Sequence, residues 1–128
     1  MADPIHRWHA YMTAPTREAL EALLADHVVF QSPAVHTPQE GKAVTLKYLA
    51  AATEVLGGPT FRYANEWRGE RSAVLEFETT LEGGIQVNGV DLIEWDEKGL
   101  ITRFKVMIRP LKALNAVVSA MGAVLTRA

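Results

Sequence analysis

Cysteine is absent from this chain of 128 residues. Disulfides, thiolate metal sites and cysteine nucleophiles are thereby excluded, and nothing marks an oxidising compartment. An excess of one charge is missing too: 13 lysines and arginines against 15 aspartates and glutamates leave a formal net charge of −2. The signs are interspersed, so there is no basic stripe for a phosphate backbone, and no nucleic-acid partner is expected. No apolar run approaches the length that spans a bilayer, and the opening residues, with Asp3, Pro4, His6 and Arg7, hold no signal-peptide core. The expectation is a cytoplasmic protein with no membrane partner. Histidine pairing of the metal-binding kind is confined to His6 and His9 at i, i+3, without a nearby carboxylate, so neither a metal nor another cofactor is expected.

What the chain does have is a long hairpin within Val87–Leu114. Two apolar runs flank Asp96-Glu97-Lys98-Gly99, where acidic residues and a glycine supply a tight turn, and Pro110 ends the second strand. In that strand Phe104, Val106 and Ile108 share one face, while Arg103, Lys105 and Arg109 share the other, broken by Met107. In the first strand Asp91 has the parity of Ile93 and Trp95. If that face is the inner one, Asp91 must be hydrogen-bonded, paired or protonated, because an isolated buried carboxylate is too costly.

The remainder reads in order. Asp3-Pro4 caps and starts a helix carrying Ile5, Trp8 and Met12 at helical spacing, ending near Ala14-Pro15. Thr16 caps a second helix with Ala19, Leu20, Leu23 and Leu24 as its buried stripe, leading into a short extended Val28-Val29-Phe30-Gln31. Residues Ser32 to Glu40, with two prolines, form a loop over the surface or a cavity mouth. A third helix spans Gly41 to Leu56 and stops at Gly57-Gly58-Pro59. Strands follow at Phe61–Trp67, with Phe61, Tyr63, Asn65 and Trp67 in phase, and at Ala73–Leu81, with Glu76 and Glu78 on the solvent or partner face. After Pro110 helical spacing returns through Leu114, Val117, Val118, Met121 and Leu125. The expected fold is α+β, a single domain over residues 1–128 with three N-terminal helices packed on an antiparallel sheet and a C-terminal helical tail.

This order, with Leu24–Pro33, Gly41 opening the third helix, Gly89-Val90-Asp91, Asp96–Ile101 and Val106–Pro110, resembles the nuclear transport factor 2-like superfamily, which includes SnoaL-like polyketide cyclases and ketosteroid isomerases. The resemblance implies a cone-shaped domain with a strongly bent antiparallel sheet. Ketosteroid isomerases carry a general-base aspartate where this chain has Ser32, and an oxyanion-stabilising tyrosine where it has Trp8. Their second oxyanion group, an aspartic acid before the hairpin, is matched by Asp91. Serine is no base at neutral pH and indole no strong acid, so the isomerase mechanism does not carry over intact. The Arg-x-Asp pair of the superfamily's epoxide hydrolases is also missing, since Gly89 and Val90 precede Asp91. SnoaL-like cyclases, which need an acid or base in an apolar cavity, are the least demanding template.

Asp91 is therefore read as a catalytic acid or base, with the alternative that backbone amides or a histidine satisfy it structurally. His9 is its candidate catalytic partner, one residue from Trp8, and His36 sits in the proline-rich loop. Trp8, Met12, Ser32, His36, Tyr63 and Asn65 are expected to line the pocket from the helices, the loop and the third strand. Phe77, Ile93, Phe104, Val106 and Ile108 complete its walls, or a filled core. The expected function is binding of a hydrophobic small molecule in a conical apolar pocket, with acid-base isomerase, cyclase or hydratase activity through Asp91. The competing class is a non-catalytic ligand-binding or dimerisation module without turnover. Met107 among the basic residues of the outer sheet face, with acidic Glu76 and Glu78 on a neighbouring strand, suggests a homodimer through that face.

Overall fold

Asp3-Pro4 opens the first helix as its chemistry requires. In the computed structural model, which describes residues 3–127, α1 runs Pro4–Thr13, and Asp3 Oδ1 accepts the Ile5 amide hydrogen at 3.0 Å. Thr16 Oγ1 does the same for Ala19 at 3.1 Å ahead of α2, Arg17–Leu23. Leu24 belongs to β1, Leu24–Gln31, and not to α2 as its spacing suggested, because it pairs with Ile101 at the start of a ladder. Ala19 is exposed, leaving Leu20 and Leu23 as the buried stripe of α2. The two-residue β2, Gln39–Glu40, interrupts the expected loop, and α3, Lys42–Leu56, starts from Gly41 at φ 106°, a backbone conformation only glycine adopts without strain.

The remaining strands are β3, Arg62–Arg68; β4, Ser72–Leu81; β5, Ile85–Trp95; and β6, Ile101–Arg109, followed by α4, Leu111–Leu125. They form one six-stranded sheet in the order β2-β1-β6-β5-β4-β3. The expected cone with a strongly bent antiparallel sheet is not what forms. β1 runs parallel to β6, so the sheet is mixed, and it stays open, with β2 and β3 as unpaired edges. The long connection through α3 and the β3–β5 meander permits a parallel pairing that no short turn could make. Closure is absent because β2 is two residues long and β3 presents exposed Arg62, Glu66 and Arg68 at the other edge. Among the described residues no helix is long and apolar enough to cross a membrane.

Alternation sets the two faces as expected for β6: Phe104 is 1% exposed, whereas Met107 is 49% exposed on the opposite face. In β4 the residues Ala73, Leu75, Phe77 and Thr79 are buried, and β5 sends Val87, Asp91 and Ile93 to the same side. Gly89 makes room there: a Cβ would stand 2.4 Å from Phe77 Cζ and 2.6 Å from the Met107 carbonyl oxygen. β3 breaks its phase. Tyr63 is opposite Phe77 but Asn65 is opposite Glu76, so Ala64 is a bulge residue and Asn65 and Trp67 lie on the outer face. Trp8 packs against Phe104 with ring centroids 4.9 Å apart and the rings tilted by 58°, joining α1 to the inner face.

Candidate functional site

A carboxyl group is placed on this inner face by the strict alternation of β5. Asp91 is 6% exposed, and one of its oxygens, Oδ2, accepts the Tyr63 phenolic hydrogen at 2.6 Å. The Trp8 indole Nε1 in turn donates to the Tyr63 hydroxyl oxygen at 2.7 Å. An indole nitrogen donates only, so the Tyr63 oxygen is the acceptor there and its single hydrogen is committed to Asp91. Burial pushes the Asp91 carboxyl up from 3.8 to about 7, against the lowering effect of the Tyr63 hydrogen bond. Burial, and then the neighbouring Asp91 charge, hold the Tyr63 phenol well above its ordinary range. The result is a carboxyl able to gain or lose a proton near neutrality, beside a phenol that stays protonated.

Three spaces in series approach this group. A cavity of about 30 Å³ lies against Asp91, walled by Trp8, Met12, Phe61, Phe77 and Phe104. That is room for one water molecule, which needs about 10–15 Å³. Among the described residues, Oδ1 of Asp91 takes no side-chain hydrogen bond, and Asp91 lines this space. Ala52, Leu56 and Val106 separate it from a second cavity of about 220 Å³ under α4, lined by apolar groups from Phe30, Val35, Ile108, Val117 and Met121. On the far side of the loop Ser32–Val35 an open cleft carries Gln31, His36 and Lys105.

The structure thus brings together Asp91, Tyr63, Trp8, Met12, Phe77, Phe104 and Val106, and puts Ile108 in the second cavity and Ser32 between the second cavity and the cleft. Ile93 is fully buried beside Asp91 on β5 and packs in the core. His36 is exposed and reaches the cleft. His9 does not meet Asp91. Its Nε2 pairs with Glu66 Oε1 at 2.9 Å, and its ring stands edge-on to Tyr63 at 5.1 Å. Tyr63 occupies the place that His9 would need. Asn65 leaves the pocket through the Ala64 bulge and donates to Glu76 Oε1 at 2.8 Å on the outer face. Tyr48, Val117 and Met121 of the second cavity were not singled out as site residues; the helical spacing after Pro110 was visible, but not what it would cover. Among the described residues no group of three or more histidines and carboxylates could hold a metal.

Residues 5–104 match the SnoaL-like domain family. No curated protein matches the chain. A steroid delta-isomerase from Pseudomonas aeruginosa is similar in structure at TM-score 0.87, with 32% identity over 94% of this chain and 87% of that one. A protein of cystatin-like fold conserved in bacteria, from Silicibacter pomeroyi, gives 0.86 with 31% identity over 96% and 85%. A protein of ketosteroid isomerase-like fold from Catenulispora acidiphila, solved with trimethylamine, gives 0.66 at 15% identity over 93% and 94%, a likeness of fold alone. With its apolar pocket of the kind this fold holds and a family match over residues 5–104, the chain belongs to the SnoaL-like family of the nuclear transport factor 2-like superfamily.

Proposed function

We propose that the protein binds a small hydrophobic molecule in the cavity under α4 and exchanges a proton with it through Asp91, as an isomerase, cyclase or hydratase would. The observation that carries this reading is the buried Asp91 carboxyl, raised to about 7, with one oxygen held by Tyr63 and the residue lining a water-sized space beside the apolar cavity. Ser32 supplies no second base, so one carboxyl both takes and returns the proton. As a base, Asp91 Oδ1 removes a proton from a carbon next to a carbonyl or from a water in the 30 Å³ space. As an acid it gives that proton back at a different atom. Tyr63 stabilises the carboxylate between these steps by its short hydrogen bond.

The likeness to a steroid delta-isomerase makes a ketone the first substrate class to assay. At about 220 Å³ the cavity falls below the roughly 300–1,000 Å³ of drug-sized ligand sites. A one- or two-ring ketone suits it better than a four-ring steroid. The test is deuterium incorporation from solvent at the carbons flanking the carbonyl of cyclohex-3-enone and related small enones. Wild-type protein should speed the exchange, and Asp91→Asn should reduce it about 10²–10⁴-fold. Equal rates for the two would remove the proton-transfer role.

A non-catalytic binding module is the second reading. What favours it is that the space beside Asp91 admits little more than one water, so a bound molecule need not touch the carboxyl. In either reading we place a homodimer contact on the β3–β5 part of the outer sheet face, where Trp67, Val74 and Leu92 stand side by side, leaving Lys105 and Gln31 at the far end of the same row uncovered.

A further inference from the structure

The pairing of β1 with β6 ends at Gln31 opposite Lys105, yet β6 continues to Arg109. Past that point the chain turns away as the loop Ser32–Val35, and residues Val106–Arg109 have no strand on that side. The gap opens inward to the apolar cavity under α4 and outward to a cleft of about 470 Å³; the two share Ser32–Val35, Val106 and Ile108. The loop and these two β6 residues form the wall common to both spaces, apolar toward the inner one and with polar neighbours at the outer one.

Polar groups at that mouth keep donor hydrogens free. Gln31 Oε1 accepts from Arg103 Nη1 at 3.2 Å, leaving the amide Nε2 as a donor. Ser32 Oγ accepts the Ala34 amide hydrogen at 3.0 Å, leaving its hydroxyl hydrogen. Among the described residues Lys105 has no carboxylate partner, while Glu94, the nearest acid along this face of the sheet, faces Arg103 at 3.7 Å. No residue lining the cleft is acidic. A concave surface with amide, hydroxyl and ammonium donors, one of them a cation without a carboxylate partner, and no acidic side chain is complementary to an anion of single charge.

We propose that the ligand is an amphipathic carboxylic acid whose carboxylate sits at this mouth on Lys105, Gln31 and Ser32 while its apolar body passes between the loop and β6 into the cavity under α4. This rests on the reading of that cavity as the hydrophobic site and adds to it the charge and orientation of the molecule. The far end of the ligand, not the carboxylate, is then the part that approaches Asp91, beyond Val106. Arg103 serves as a positioning residue, since its hydrogen bond holds the Gln31 amide oxygen and leaves the NH₂ free to donate.

Isothermal titration calorimetry with octanoate and octan-1-ol at pH 7.5 tests this. Octanoate should bind more tightly than the alcohol. Lys105→Met should weaken octanoate about tenfold or more, as loss of a charge-assisted hydrogen bond does, and leave octan-1-ol unchanged, while Lys105→Arg should retain octanoate binding. Lys105 lies on the solvent face, so folding of these variants is checked by the unchanged alcohol affinity and by thermal melting. Alcohol binding as tight as octanoate, or an octanoate affinity indifferent to Lys105→Met, would overturn the proposal and leave the apolar site standing. If neither probe bound, both readings would fall. Octanoate preference retained in an Asp91→Asn protein that exchanges solvent deuterium at the wild-type rate would instead keep this inference and remove the proton-transfer role alone.

Discussion

Tyr63 stands between Trp8 and Asp91, accepting from the indole at 2.7 Å and donating to the carboxyl at 2.6 Å. Replacing it by phenylalanine therefore strips two buried groups of a partner at once. Tyr63→Phe should cost about 1–3 kcal/mol, read as a lowered midpoint in urea. Because the Tyr63 hydrogen bond is what holds the Asp91 carboxyl down against burial, the same variant should titrate Asp91 above about 7. Carbon-13 NMR of the carboxyl follows that shift; an unchanged titration would show that the phenol does not act on Asp91.

The sign of the pH dependence follows from the direction of that displacement. Asp91 is raised in the folded protein, from 3.8 to about 7, so between these values the folded state holds a proton that the unfolded state has lost. Its contribution to stability is complete below about pH 4 and is lost as pH rises through 7, a few kcal/mol at most. Asp91→Asn keeps an oxygen for the Tyr63 hydrogen and has no charge to bury. It should melt near the wild-type temperature at pH 5 and above it at pH 8.5. A variant that melts lower than wild type at both values would make Asp91 a structural carboxylate.

At the acid end the balance reverses. Glu66 is lowered by its hydrogen bonds from His9 and Arg68, so its share of stability is present above its unfolded value and lost as pH falls through its folded one. The pairs are largely exposed, and exposed pairs contribute little. Glu66→Gln should accordingly shift the acid unfolding midpoint only slightly, and mainly at low salt. A large shift, in melts recorded from pH 5 to pH 3, would mean that the link from α1 to β3 holds more of the fold together than its exposure implies.

Gly89→Ala tests the packing beneath the carboxyl. The new methyl group would meet the Phe77 ring and the Met107 carbonyl oxygen closer than any relaxed contact, and the carbonyl is fixed in the ladder. Overpacking of this kind costs about 1–3 kcal/mol. Chemical denaturation should show that loss, and an unaffected midpoint would mean the sheet yields there.

Dimerisation is open to a direct mass measurement. Trp67 is 57% exposed and Met107 49%, large apolar side chains left bare on one sheet face. Multi-angle light scattering at micromolar concentration should give twice the chain mass, and Trp67→Glu should restore the monomer. A wild-type monomer would remove the pairing, and with it the reason for a bare tryptophan on that face.

How far the chain could be read depended on the range of the interactions involved. The Asp3 and Thr16 caps, the hairpin turn in which Asp96 Oδ1 accepts from Lys98 and Leu100, and the inward Phe104 are all settled within a few residues, and all were legible. The burial of Asp91 followed from its parity with Ile93. The parallel ladder of β1 on β6 joins residues more than seventy positions apart, and no local pattern announces it. Helical and strand spacing cannot be told apart at Leu23-Leu24, so the start of β1 was lost to α2. The Ala64 bulge is a single extra residue that turns Asn65 and Trp67 over, and strict alternation has no means of foreseeing it. His9 was chosen for its nearness to Trp8 in sequence, but one helical position turns it toward Glu66 and the edge strand.

Val106 belongs to the wall of all three spaces, the water-sized one at Asp91, the apolar one under α4 and the cleft at Lys105. A change of its size therefore cannot be confined to one of them. Trimming it enlarges the room at the carboxyl and widens the throat together; extending it narrows both. Under the proposed function, affinity and proton exchange would move as linked traits at this position, and a lineage adapting to a bulkier molecule could not tune its grip without also changing the space at Asp91.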